Sequence, residues 1–343
     1  MEIEIYADEI ITPKDFNNCT RNVIGIGCLF VPVSKKQNIL SNLINSRCLF
    51  KSNESWFWEH DKCPSSITNG GECKNQWHQQ NMCEIHHTEL RNSRSSNSQR
   101  EISKKWLNYL IENNIRDRKE IYFNILFVDL DTLQIENFGT QKVHENIYNK
   151  FFRTVIHYGV KSFFGNKNVT IKKVFHDKGS MENHGYFPYL NLMKLDLDLG
   201  KYGLIEDKEI AFIDSDHRNY LRESNDLLKE SHLIQLIDLL IGSITQNIYY
   251  LSDDRLKKEL AMIARPLVNR LLESPSNPNS SYNYYQRQHI GFFPKYSLEN
   301  ATYFLDSLSH EQFENYKKGN IYTNRKMEMP SYDPKQTNLS LWY

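Results

Sequence analysis

The segment ESHLIQLIDLLIGSITQNIYY, residues 230–250, constrains the fold more than any other part of the chain. Leu233, Ile234, Leu236, Ile237, Leu239, Leu240 and Ile241 leave no polar face wide enough for solvent, so a helix here must be buried on nearly every side. A sheet supplies the natural support. Residues 2–8, EIEIYAD, alternate apolar with polar and end in acids, and VIGIGCLFVPV from Val23 follows a polar turn containing Pro13, so the two read as a hairpin. KEIYFNILFVDLD at 119–131 is the strongest strand pattern. VTIKKVFHDKG at 169–179 alternates and ends on Asp177, and EIAFIDSD at 209–216 adds a further strand. Helical spacing over 35–50, 101–114 and 142–164 separates these strands, which predicts an α/β domain.

At 343 residues the chain is long for one simple domain. We expect a core over 1–250 interrupted by an insertion at 51–83, then an extension over 251–343 that packs back on the core. The insertion differs in character, with three tryptophans, three cysteines and the pair Gly70-Gly71. EIHHTEL at 84–90 reads as a short strand or strand-to-loop edge, and RNSRSSNSQR after it as a connection. The extension opens with another helix and then carries a Ser/Pro/Asn stretch at 274–281 and the aromatic run SYNYYQRQHIGFFPKY. Lys and Arg number 42 and so do Asp and Glu, so no basic surface marks a protein that coats a polyanion. The start MEIEIYADE lacks a signal-peptide pattern, and no apolar run reaches the roughly 18 residues that span a bilayer. A cytoplasmic protein with no membrane association is expected.

Three acids stand where local structure would ordinarily want something else. Asp8 ends the first strand, Asp177 ends a later one, and Asp238 lies between Ile237 and Leu239 inside the apolar helix. A lone buried carboxylate costs several kcal/mol unless it is paired, hydrogen-bonded or bound to a cation, so Asp238 needs a partner. One reading is a helix acid bonded to a nearby hydroxyl, His or Lys. The other is a metal ligand, because three or four carboxylates converging from separate elements can hold two hard divalent ions for phosphodiester hydrolysis.

The motifs YADE, EIHHTEL, VFHDKG, IDSD and HLIQLIDLLIG, followed by QRQHIGFFPK, together resemble the bacterial domain-of-unknown-function family 3800 over most of residues 2–296. The resemblance implies a ribonuclease H-like mixed sheet flanked by helices and a hydrolase of nuclease type. Carried over by position, Asp8 and Glu9 match the opening acids, Glu84 the middle motif, Asp177 the later strand acid, and Asp238 the helix acid with Gln235 before it. Ile10-Ile11 stand where the family has Ser-Gly. The expected function is therefore a two-metal nuclease using Mg or Mn at Asp8, Glu84, Asp177 and Asp238, acting on DNA or RNA. The rival from another class is a non-catalytic binding or scaffold subunit with a protein partner, in a defence or mobile-element assembly.

Other residues compete for roles. Asp129 is the alternative to Asp177, and Glu89 to Glu84, while Asp214 and Asp216 read as turn and capping residues. His87, if inward, could position a phosphate or shuttle a proton, though a solvent-facing histidine on a strand edge is the commoner case; Lys178 could neutralise a phosphate, and His176 reads as structural. His60, Cys63, Cys73, His78 and Cys83 offer ligands for a structural Zn, weighed against free thiols packing beside Trp56, Trp58 and Trp77, because paired close spacings are absent. Tyr282, Tyr284, Tyr285, Arg287, Phe292, Phe293 and Lys295 read either as a stacking platform for single-stranded nucleic acid or as packing of the extension.

Overall fold

In the computed structural model, which describes residues 1–12, 22–47, 83–115, 120–165, 168–220, 225–249, 251–272 and 288–293, the first two strands are β1 (Glu2–Thr12) and β2 (Val23–Pro32). They pair antiparallel as the predicted hairpin, with Asp8 opposite Gly27. All ten residues of β2 are buried, which places this strand at the centre of the sheet with both faces covered. β3 (Tyr122–Asp129) pairs antiparallel with β2, and β4 (Val169–Asp177) runs parallel to β1 on its other side.

Two short strands, β5 (Gly203–Ile205) and β6 (Ile210–Ile213), extend the sheet by pairing parallel with successive parts of β4. β7 (Gln288–Phe293) pairs parallel with β3 at the opposite edge. The order is β5-β4-β1-β2-β3-β7 with β6 also on β4, so the architecture is α/β around a mixed sheet. Part of the aromatic run that the sequence left as an extension is thus a strand of the core sheet.

Helices cover both faces. On one lie α1 (Val33–Asn45), α2 (Asn97–Ile115), α5 (Asn225–Tyr249) and α6 (Arg255–Leu272), sharing a core with Tyr6, Leu29, Phe123 and Phe127. On the other lie α3 (Val143–Phe164) and α4 (Leu190–Leu199), packed on Ile3, Ile5, Ala7 and Phe30. Every residue from 230 to 249 is buried, because α5 rests on β1 and β2 while α1, α2 and α6 shield its remaining sides. Close docking needs Gly27, since a Cβ there would lie 2.5 Å from Ile241 Cδ1. No described helix is long and apolar enough to cross a membrane.

Two sequence expectations are corrected. EIHHTEL is not a strand: residues 84–86 are irregular and 87–89 form a turn. The reason is local satisfaction of the backbone. Ile85 N–H donates to Gln235 Oε1 at 3.0 Å and His87 N–H to Asp238 Oδ2 at 2.5 Å, so side chains of α5 take the place of a neighbouring strand. The strand expected at 209–216 stops at Ile213, after which Asp214 and Asp216 accept turn N–H groups as expected of them, Asp216 also binding Arg218 at 2.7 and 2.6 Å. The insertion, with His60, Cys63, Cys73 and His78, and the aromatic residues 282–287 and Lys295 lie outside the described residues; Cys83 is described as a half-buried free thiol.

Candidate functional site

The parallel register between β1 and β4 sets Ala7 beside His176, so the next pair in line is Asp8 and Asp177. Alternation decides which face each side chain takes. Tyr6 and Phe175 belong to the core under α5, and Asp8 and Asp177, two residues further on, share that face. Asp238, on α5, lies near enough that its charge acts on both Asp8 and Asp177. Three acids far apart in the chain thus converge on one face at the ends of two neighbouring strands.

Their electrostatics are mutual. Asp8, only 7% exposed, has its carboxyl held well above the usual range by burial, then by the charges of Asp238, Glu9 and Asp177, against one opposing bond from Glu9 N–H at 2.8 Å. Burial raises Asp238 to about 6; the His86 ring and the His87 N–H oppose the rise and Glu84 adds to it. Asp177 is likewise raised by burial to about 6, opposed by His176 and pushed further by Glu9 and Asp238. Ser215 N–H donates to Asp177 Oδ1 at 3.1 Å, while Ser215 Oγ donates to Glu84 Oε1 at 2.6 Å and so ties Glu84 to the rim.

Gln235 organises the surrounding loops. It is fully buried, its Oε1 accepts from Arg47 at 2.7 Å and from Ile85 N–H, and its Nε2 donates to the Ser215 carbonyl at 2.6 Å and faces His217 Nδ1 at 3.0 Å. Both segments that carry Glu84 and Ser215 are therefore pinned one helical turn from Asp238.

The His87 ring turns inward but not to the use the sequence suggested. The His87 ring is buried against Gly242, where any Cβ would overlap it, and burial drives its pKa well below the ordinary value. A neutral ring in that position gives no cation for a phosphate. His86 instead turns a half-exposed ring toward the site, with Nε2 3.8 Å from Asp238 Oδ1. Lys257 of α6 is a site neighbour that the sequence did not suggest: it is buried, donates to the Thr88 carbonyl at 3.3 Å, and burial lowers it to about 8 while Asp238 opposes the fall. Nothing in LKKEL distinguishes it from an ordinary surface lysine of an amphipathic helix.

Asp129 is not brought into this group. The sheet register aligns it with Val23 and thence Thr12, four residues beyond Asp8 and two strands away, and its Oδ1 accepts from Asp131 N–H at 3.0 Å. Glu89 is exposed in the turn and Lys178 exposed just past Asp177. Glu9 and His176 face the other side of the sheet, where His176 is buried and bonds Tyr148, in keeping with a structural histidine.

The donors around Asp8 are carboxylate oxygens, the chemistry that hard divalent cations prefer, and buried like charges that raise one another are short of positive charge. Among the described residues no group of three or more His, Cys, Asp or Glu side chains is placed so that it could hold a metal ion. No family model, curated protein or solved structure matches this chain.

Proposed function

We propose that the chain is a divalent-metal-dependent phosphodiesterase acting on nucleic acid, with a ribonuclease H-like fold and kinship to family 3800. The observation that carries this reading is the meeting of Asp8, Asp177 and Asp238 on one sheet face, each raised by burial and by at least one other acid of the site. The strand order supports it as well: an antiparallel β1-β2-β3 meander with β4 and then β6 parallel to β1 on the other side.

Asp8, Asp177 and Asp238 would hold Mg or Mn, with Glu84 delivered from the rim by its bond to Ser215. Bound there, such ions supply the Lewis acidity and water activation that phosphodiester hydrolysis needs. The chain's own share is positioning. His87 N–H fixes the orientation of Asp238, Ser215 N–H that of Asp177, and Glu9 N–H that of Asp8. Lys257 on one flank and Lys178 on another offer positive charge to phosphate oxygens.

Calorimetric titration of Mn²⁺ into the wild type and into Asp238→Asn tests the reading, followed by incubation of both with labelled single- and double-stranded DNA and RNA. Metal binding and cleavage that both disappear in the variant are the expected result, and the cleaved polymer identifies the substrate. A folded wild type that takes up no metal and cuts none of the four overturns the proposal and leaves a non-catalytic binding subunit.

A further inference from the structure

The face of the sheet turned away from Asp8 has a concave site of its own. A cavity of about 460 Å³, large enough for a small organic molecule, opens between β1, β2 and the first turn of α3. Its lining includes Glu9, Ile24, Val143, Glu145, Tyr148 and Met181. Ile24 and Met181 belong to the apolar core of this face, so part of the wall is well suited to a hydrocarbon chain.

Two carboxylate oxygens on that lining lack a hydrogen-bond donor. Glu9 Oε2 and Glu145 Oε2 are both shielded from solvent and neither accepts a well-formed hydrogen bond, although the Tyr148 hydroxyl also reaches the Glu9 carboxylate. For Glu9 the shortage follows from its neighbours. His176 Nδ1 lies 2.7 Å from the Asp177 carbonyl, which only accepts, so the ring hydrogen sits on Nδ1 and Nε2 presents a lone pair. The Tyr148 hydroxyl is 2.6 Å from that Nε2 and has one hydrogen to give. Glu9 Oε2 stands 3.4 Å from the same Nε2, so Tyr148 cannot serve both acceptors. Lys142, at the rim of the cavity, is exposed and leaves both oxygens unpaired.

Buried acceptors are ordinarily bonded, and two orphaned oxygens on one cavity wall point to a donor from outside the chain. The donor chemistry can be narrowed. A hard metal ion wants six or more oxygen ligands, whereas much of this lining is aliphatic. An ammonium group on a short alkyl chain matches both features, with N–H donors for the carboxylates and methylenes for Ile24, Val143 and Met181. We propose that the cavity binds a small aliphatic amine through Glu9 and Glu145. This site is independent of the nuclease reading, because Glu145, Val143 and the cavity lie on the opposite face from Asp238.

Calorimetry on the full chain with 1,4-diaminobutane, against the neutral isostere 1,4-butanediol and against Mg²⁺, provides the test. Saturable binding of the diamine is expected, with at least tenfold weaker affinity in Glu145→Gln and in Val143→Phe, which fills the cavity and keeps both carboxylates. The diol should not bind, and Mn²⁺ uptake dependent on Asp238 should be unchanged in both variants. No diamine binding by the folded wild type overturns the proposal, as does wild-type affinity in either variant. Diol binding as tight as the diamine's, or Glu145-dependent Mg²⁺ binding that displaces the diamine, overturns it too.

Discussion

Asp238 is buried in a helix where its sequence neighbours Ile237 and Leu239 are aliphatic, and its bond from His87 N–H and proximity to His86 do not cancel the cost of desolvation. Burial pushes its carboxyl up to about 6 in the folded protein, against an ordinary aspartate value of 3.8. Between those values the native state holds a proton that the unfolded chain has lost, so stability falls as pH rises from about 4 to about 6 and levels off above. Because Asp8 and Asp177 press on the same site, the loss belongs to the three acids together. Asp238→Asn removes the cost, so urea unfolding in chelator should show the metal-free variant gaining on the wild type from about pH 4 to about pH 6 and keeping that gain above. A difference between the two that stays flat across that window would count against a buried, cation-short acid at this position. The sequence exposed Asp238 because an acid inside LIQLIDLLIG has no bland neighbour. It did not reveal which of His86 and His87 turns inward, since both lie in a loop whose course is set by bonds to α5.

At the scale of elements, the site depends on how closely α5 approaches the sheet. Gly27 on β2 is the contact point: a methyl there would meet Ile241 at 2.5 Å and Ile237 at 3.0 Å. Gly27→Ala is expected to destabilise the protein by about 1–3 kcal/mol through overpacking, measured as a fall in the urea midpoint. Ile241→Val in the same chain should recover part of the loss, because it shortens the side chain that the new methyl strikes. Full additivity of the two substitutions would show that the helix does not dock there. β1, β2, β3, α3 and α5 were all legible from periodicity, since each is long and strongly patterned. β5, three residues long, and α4 were not anticipated, because elements that short carry too few positions to establish a period.

For the whole molecule, the central question is which strands can open without the rest. β2 is hydrogen-bonded to β1 and β3 along its length and buried on both faces, while β5 pairs with β4 over three residues at an edge. Hydrogen-exchange mass spectrometry should therefore find peptides from β2 among the slowest to exchange and those covering 203–205 much faster. Comparable protection of the two would mean that the sheet does not open from this edge inward. The same sheet also defeats a division at residue 250, since β7 completes it from beyond that point.

What the sequence determined by itself is whatever follows from local pattern: the buried helix, the hairpin of β1 and β2, the alternation of strands and helices, and the three acids whose positions conflict with their surroundings. Strand neighbours and faces were decided only by tertiary structure. Asp177 meets Asp8 because β4 lies parallel to β1 in a register that pairs Ala7 with His176. Asp129, on an equally strong strand, is carried away from Asp8 because β2 intervenes. Lys257 reaches the site only through the packing of α6 on α5. Periodicity records which side of an element is apolar, but pairing and register arise from contacts between residues far apart in the chain, and no local pattern encodes them.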